Sequence, residues 1–316
     1  MIKYNLKSVT AFAPATCANI AVGFDILGFA IDSVGDFVTL TKREDQKIII
    51  EQIEGINNLP YDILKNTASV VIKKLCDDLQ LNTGFNIRLK KGIALGSGMG
   101  GSSASSVAAL VALNQFLLNP LTLNELAYYA LFGEEIACGQ RHADNIVPCL
   151  FGGMQLILSS NPIENILLPA PNIFCVLIHP HLRLDTKDAR DILSKEISLK
   201  QHIQQSANLA GFITGIYKKD SNLLKKYTQD IIIEPQRAKL VPGFYKVKDV
   251  ALQSGAIVAS FSGSGPSLFA LSDTKNNAEI IADKMQQEFM KYNIHSDFWI
   301  TGLNSKGAHV TEIYEG

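Results

Sequence analysis

Gly96-Ser97-Gly98-Met99-Gly100-Gly101-Ser102-Ser103 is the stretch on which the reading of this chain turns. Glycines reach positive φ and let backbone N–H groups face a ligand with no side chain in the way. The run empties directly into residues 104–118, an Ala/Val/Leu-rich segment of helical character. Free N–H groups and the helix dipole at such a junction favour an anion, and a phosphate is the natural occupant. Ser102 and Ser103 add hydroxyls suited to a phosphate oxygen or to a hard cation such as magnesium. No Gly-Lys-Ser/Thr follows, so this is not a Walker loop. No βαβ unit opens the chain and no acidic residue follows at the right distance, so it is a poor dinucleotide fingerprint. On its own the run also reads as a flexible linker, so partners elsewhere must decide.

Outward from the loop, strands and helices alternate. Residues 9–13, 37–42 and 47–53 read as strands, and Phe85-Asn86-Ile87-Arg88-Leu89 alternates strictly, as a half-buried strand does. Val70, Val71, Leu75 and Leu79 recur at helical spacing within residues 63–79, with Asn66 and Thr67 as cap signals. Thr122-Leu123-Asn124-Glu125 has capping-box form and opens a helix to about Gly139. A strand follows at 154–158. Residues 161–172 hold Pro162, Pro169 and Pro171, the best place for a domain boundary. Beyond it the pattern gives a strand at 173–178 and helices near 186–193, 199–217 and 222–227. The end reads helix 245–254, strands 256–261 and 267–271, helix 278–292, and strands 296–301 and 308–314. This mixture is an α+β architecture, divided as residues 1–163 and 164–316, two domains being what 316 residues suggest at roughly 150 per domain.

Composition excludes several classes. With 29 basic and 30 acidic residues the formal net charge is −1, against a nucleic-acid binder, which carries a basic excess. Cys17, Cys76, Cys138, Cys149 and Cys175 are odd in number and lack CxxC spacing, so they read as free thiols in a reducing compartment rather than a zinc site. The start, Met1-Ile2-Lys3-Tyr4, has no signal-peptide run, and no stretch reaches the roughly 18 apolar residues of a membrane span. The expectation is a cytoplasmic protein that does not engage membranes.

Three further segments accompany the glycine loop. They are Ala13-Pro14-Ala15-Thr16-Cys17-Ala18-Asn19 running on to Gly23-Phe24-Asp25; Gly133-Glu134-Glu135 with Arg141-His142-Ala143-Asp144-Asn145 and Phe151-Gly152-Gly153; and Phe261-Ser262-Gly263-Ser264-Gly265-Pro266-Ser267. In order and spacing along nearly the whole chain, these resemble the GHMP kinase superfamily. Within it the resemblance is nearest to the members that phosphorylate the side-chain hydroxyl of homoserine on the way to threonine. It rests on the 19–25 segment, His142-Ala143-Asp144-Asn145, Thr186 with Arg190, and Glu234-Pro235-Gln236-Arg237-Ala238 before Pro242-Gly243-Phe244. The resemblance implies an N-terminal domain like domain 2 of ribosomal protein S5, with a left-handed βαβ crossover. It also implies a ferredoxin-like C-terminal domain, an ATP site between the two, and a homodimer.

It also implies roles. Ala94, Leu95, Gly96, Ser97, Gly98, Met99, Gly100, Gly101, Ser102, Ser103 and Ala104 would form the ATP-phosphate loop. Glu134 would be the magnesium carboxylate and Ser102 its hydroxyl partner. L-homoserine is a zwitterion, so its carboxylate wants guanidinium forks, supplied by Arg190 and Arg237. Its ammonium wants Asp25, with Asn19 as a neutral neighbour and Thr186 and His142 as further contacts. Without the motif, Glu134 would read as a solvated helix charge, the arginines as surface residues, Asp25 as a turn former and His142 as a structural histidine. Asn145 stands where mevalonate kinases carry a catalytic aspartate, and an amide cannot take a proton as a carboxylate does. Asn145 is therefore expected to hold the hydroxyl in line, with Asn145, Glu134 and Arg190 as the catalytic group. Asp144 stays open as a base.

The chain departs from the superfamily pattern in places. Ala94 replaces a proline, Met99 a leucine, Gly101 the first motif serine and Cys17 another serine, while Asp185 stands where a serine often precedes Thr186. Which loop serine meets the metal is thus open. Adenine is expected among backbone groups and apolar walls between residues 56 and 75. Two other functions remain: a GHMP kinase for an isoprenoid alcohol or sugar, and a non-catalytic ligand sensor of the same fold. The charges of Asp25, Arg190 and Arg237 suit an amino acid better than the former. The presence of Glu134 and the loop glycines disfavours the latter.

Overall fold

A computed structural model describes residues 2–169 and 172–316. Two strands longer than the pattern suggested, β1 (Leu6–Ala18) and β2 (Leu27–Arg43), pair antiparallel and form the spine. Next come β3 (Ile48–Glu54), α1 (Thr67–Asp78) and β4 (Gly84–Lys90), with β3 parallel to β4 and α1 crossing between them. The Asn66 side chain accepts from Ala68 N at 3.1 Å and starts α1. Then follow α2 (Gly101–Phe116), α3 (Leu123–Cys138), the short α4 (Ile146–Phe151), β5 (Met154–Ser160) and β6 (Ile163–Leu168). The capping box on α3 forms as expected, and Gly139 ends that helix at φ +78°.

The second half holds β7 (Phe174–Pro180), α5 (Thr186–Asp191), α6 (Leu199–Lys218), α7 (Ser221–Lys226), α8 (Glu234–Arg237), α9 (Phe244–Gln253), β8 (Val258–Phe261), β9 (Leu268–Ser272), α10 (Lys275–Met290), β10 (Ser296–Gly302) and β11 (His309–Glu315). One sheet has the order β11-β1-β2-β4-β3, with β5 on β2 and β6 on β5. The other is β10-β7-β9-β8. That order, all antiparallel, with crossovers between β7 and β8 and between β9 and β10, is the ferredoxin-like arrangement.

Two expectations need adjusting. The proline-bounded segment is not an open linker: Ile163 to Leu168 pair with β5 at the sheet's edge, where a flanking proline costs no ladder bond. Pro171 lies outside the described residues. The division at 163/164 falls on the first residue of this strand, and β11 carries the far end of the chain back onto β1.

α2 is apolar around most of its circumference and is buried against β1, β2, α1 and α3. Phe116, at its end, meets Phe85 of β4 edge-on at 5.1 Å. This burial fixes the position of the helix N-terminus, where the glycine run arrives. All five cysteines carry free thiols. Among the described residues no helix is long and apolar enough to cross a membrane.

Candidate active site

The glycine run lines one wall of a cleft of about 510 Å³ that draws on residues of both halves. Gly96, Gly98 and Gly100 stand at φ +59°, +73° and +71°, a region closed to most side chains. A Cβ on Gly98 would sit 2.5 Å from the carbonyl oxygens of both Ser262 and Gly265. The two glycine-rich loops therefore pack backbone to backbone. Ser262 Oγ donates to Gly98 O at 2.9 Å, Ser267 N to Ser97 O at 3.2 Å, and Leu184 N to Gly96 O at 2.9 Å. Gly100 is the N-cap of α2 and provides no side-chain cap, which leaves the first-turn N–H groups without an intrahelical partner. Ala94, Leu95, Gly96, Ser97, Gly98, Gly100, Gly101 and Ser102 line the cleft. Met99, Ser103 and Ala104 do not: their side chains are buried, Met99 and Ala104 in the apolar core.

Glu134 comes off α3 onto the same wall. Its Oε2 accepts from Ser102 Oγ at 2.9 Å and from Ser103 Oγ at 3.0 Å. Burial pushes its carboxyl above the ordinary range, against the pull of these hydroxyls. Ser102 is the serine of the pair that faces the cleft. One carboxylate and one hydroxyl, both hard oxygen donors beside an uncapped helix N-terminus, fit magnesium, which takes few protein ligands and completes its shell with phosphate and water. Glu135 faces outward and pairs with Arg141.

At the other end, segment 19–25 is strained. Asn19, Ile20, Ala21 and Asp25 have φ of +72°, +43°, +59° and +64°, and for β-branched Ile20 this is a true outlier. Asn19 holds the turn with both side-chain atoms: Oδ1 accepts from Asp25 N at 2.9 Å, and Nδ2 donates to Gly263 O at 2.8 Å. Asp25 is thereby aimed at α5, where Arg190 meets it with a two-bond fork of 2.8 and 3.0 Å. Arg237 is buried, with Nε donating to Ala189 O and Nη1 to Gly263 O. Its burial, then Arg190 beside it, push its pKa down to about 10, which leaves it a cation at neutral pH. Thr186 reaches Ser264 Oγ at 3.4 Å. Burial lowers the pKa of His142 and favours a neutral ring.

Between the two ends stand Asp144 and Asn145. Asn145 Oδ1 accepts from Thr16 Oγ1 at 2.7 Å, so what the amide offers the cleft is its Nδ2–H. Asp144 is buried, and desolvation first, then Asp25 and Glu134, push its pKa up to about 7.

Thus Asn19, Asp25, Glu134, His142, Asn145, Thr186, Arg190 and Arg237 all line one cleft. Sequence reasoning missed Thr16, Phe24, and the buried pair Lys91–Asp36 that sits under Gly101. Thr16 and Phe24 lay inside the quoted motif, but Lys91 and Asp36 carried no signal beyond a charge at the end of an apolar strand. Among the described residues four buried side-chain polar atoms lack a partner. Three of them, Ser97 Oγ, His142 Nε2 and Arg190 Nε, belong to residues of this cleft.

Comparison with known proteins follows the same lines. The model for the GHMP kinases N terminal domain matches residues 64–153, and that for the GHMP kinases C terminal matches residues 212–291. The chain is 42% identical over 318 residues to the homoserine kinase of Chloroherpeton thalassium, covering 96% of this chain and 100% of that one. The crystal structure of homoserine kinase from Cytophaga hutchinsonii aligns with a TM-score of 0.94 at 42% identity, over 98% of this chain and 99% of that one. The L. major mevalonate kinase structure in complex with R-mevalonate aligns with a TM-score of 0.74 over 97% of this chain and 100% of that one. At 13% identity this is a likeness of fold alone.

Proposed function

The chain belongs to the homoserine kinase family of the GHMP kinases, and from that premise we propose how its cleft moves the γ-phosphoryl group of ATP to the side-chain hydroxyl of L-homoserine. The product is O-phospho-L-homoserine, on the way to threonine. The observation that carries the reading is a single cleft with an uncapped, glycine-fed helix N-terminus at one end and an aspartate flanked by two arginines at the other. The first suits a polyphosphate and the second an amino acid's head group.

Phosphoryl transfer asks the protein chiefly to position reactants and offset charge. The N–H groups at residues 96–102 cradle the triphosphate. Glu134 and Ser102 hold magnesium, which when bound offsets negative charge on the phosphates. Asp25 takes the substrate ammonium, and Arg190 and the free side of Arg237 take its carboxylate, with Asn19 bracing Asp25. His142 and Thr186 close the same wall. Asn145 Nδ2 donates to the substrate hydroxyl oxygen and fixes its direction, while Thr16 fixes the amide. Adenine lies toward Leu59 and Thr67, beside the start of α1, within the expected 56–75 span. Residues 1–163, completed by the rest of β6 and by β11, serve as the nucleotide-binding domain. The working assembly is a homodimer.

A second reading concerns only the proton. Asp144 lines the cleft with a pKa pushed up to about 7, matched to accepting a proton near neutrality. Positioning alone predicts that Asp144→Asn keeps most of its turnover, whereas a base predicts a large loss.

ADP release measured with homoserine, mevalonate, galactose and shikimate tests the assignment. Homoserine should be used at least tenfold better than the others, and only with magnesium present. Equal use of mevalonate would overturn the assignment.

A further inference from the structure

Asp25 and Arg190, assigned to opposite ends of the amino acid, are bonded to each other. Arg190 Nη2 donates to Asp25 Oδ1 at 2.8 Å and Nη1 to Oδ2 at 3.0 Å, across 165 residues of sequence. The side chains are 24% and 30% exposed, so the pair is half-shielded from water inside the cleft. Neither partner is loosely placed. Asp25 sits on the strained turn braced by Asn19, and the Arg190 guanidinium lies 5.2 Å from the Phe24 ring. Arg237 is 5.2 Å from the same ring, but its Nε and Nη1 are already given to backbone carbonyls.

We infer that Asp25 and Arg190 are each other's counter-ion in the free protein, and that this pair sets specificity by admitting only an acceptor that replaces both partners at once. This rests on homoserine being the acceptor. A zwitterion gives Asp25 an ammonium and Arg190 a carboxylate, so two half-buried charges exchange one partner for another. 4-Hydroxybutyrate, which lacks the ammonium, engages Arg190 only by stranding Asp25. 3-Aminopropan-1-ol, which lacks the carboxylate, engages Asp25 only by stranding Arg190. A charge left unpaired in such a place costs more than the new contact returns, and rejection of this kind exceeds what shape alone achieves.

The exchange has a signature that simple contact lacks: removing one partner should improve the acceptor that never needed it. In Asp25→Asn, kcat/KM for homoserine should fall, while kcat/KM for 4-hydroxybutyrate should rise about fivefold above wild type, the upper worth of one released ion pair of this exposure. Arg190→Gln is the mirror variant, and there 3-aminopropan-1-ol should gain. Circular dichroism and thermal melts report whether each variant is folded, and either variant alone suffices for the test. If homoserine is phosphorylated by the wild type but the truncated acceptor fails to gain in either folded variant, the exchange is overturned and the acceptor assignment stands. If the wild type releases no ADP with homoserine, both fall together.

Discussion

Replacing Lys91 by methionine should cost this protein about 3 kcal/mol of stability, a buried pair broken by loss of one partner costing roughly 3–5. Lys91 and Asp36 are 3% and 0% exposed and in direct contact. Lys91 Nζ also donates to Gly101 O and to Ser105 Oγ, both at 2.9 Å. Without the ammonium, Asp36 keeps three donors: Gly92 N at 3.0 Å, Ile93 N at 3.2 Å and Ser105 Oγ at 2.8 Å. Those donors hold the loss to the lower end of the range. With an m-value near 3 kcal/mol/M, at the upper end for domains, the urea midpoint should fall by about 1 M. Removing the remaining charge as well, in Lys91→Met with Asp36→Asn, should restore most of that loss, because the cost lies in a stranded carboxylate. The Gly101 carbonyl loses the Lys91 ammonium in both variants and keeps only the weaker Ser105 Oγ at 3.1 Å, so KM for ATP should rise in both. A midpoint shift below about 0.3 M for Lys91→Met, or a double variant that loses the sum of the two singles, would refute the reasoning.

Other substitutions test other parts. Glu134→Gln should lower kcat by about 10²–10³, as loss of a charge-stabilising group does, and should raise the magnesium needed for half activity; a wild-type kcat at saturating magnesium would remove Glu134 from the site. Asp144 has a folded pKa raised to about 7 from an ordinary carboxylate value, so the stability it carries is full below about pH 4 and is lost as pH rises through 7. Asp144→Asn should therefore melt with wild type near pH 4 and above it at pH 8; identical melts at both pH values would show that its burial costs nothing. Gly98→Ala puts a side chain at φ +73° and a Cβ 2.5 Å from two carbonyl oxygens, so it should lose at least 1–2 kcal/mol and raise KM for ATP several-fold, read by thermal melts and ADP release.

The elements that sequence revealed are those whose cause is local. The capping box at Thr122 and Glu125 closes within one turn, and Gly96, Gly98 and Gly100 are the residues that can take positive φ without steric cost, as they do. What stayed hidden depends on residues far apart in the chain. Nothing in Asp25 announces Arg190, 165 positions on, and nothing in Thr16 announces Asn145, 129 positions on. Chemistry assigned each charge to a ligand, but it gave no sign that two of them satisfy each other. The positive φ of Ile20 and Ala21 was equally illegible, since neither residue type favours it; it persists because Asn19 is tied at both ends. β6 was masked by its prolines, which mark a boundary in isolation and merely flank a strand at an open sheet edge.

The loop between β8 and β9 explains why the reaction needs both sheets. Ser262 and Gly265 press against Gly98, and Ser262 Oγ bonds to the Gly98 carbonyl, so this loop backs the glycine run proposed to cradle the phosphates. One residue along, Gly263 O accepts from Asn19 Nδ2, which braces the turn carrying Asp25, and from Arg237 Nη1, whose guanidinium faces the same ring as Arg190. A single four-residue stretch between two strands of the second sheet therefore touches the supports of both proposed ligand sites. Those contacts tie the two ends of the cleft to one stretch of backbone. In-line transfer tolerates little error in the distance between those ends, since a misplacement of about 1 Å can cost 10²-fold in rate. A change confined to Gly263 or Gly265 should thus disturb KM for ATP and KM for homoserine together, although neither residue bears a charge that either ligand requires.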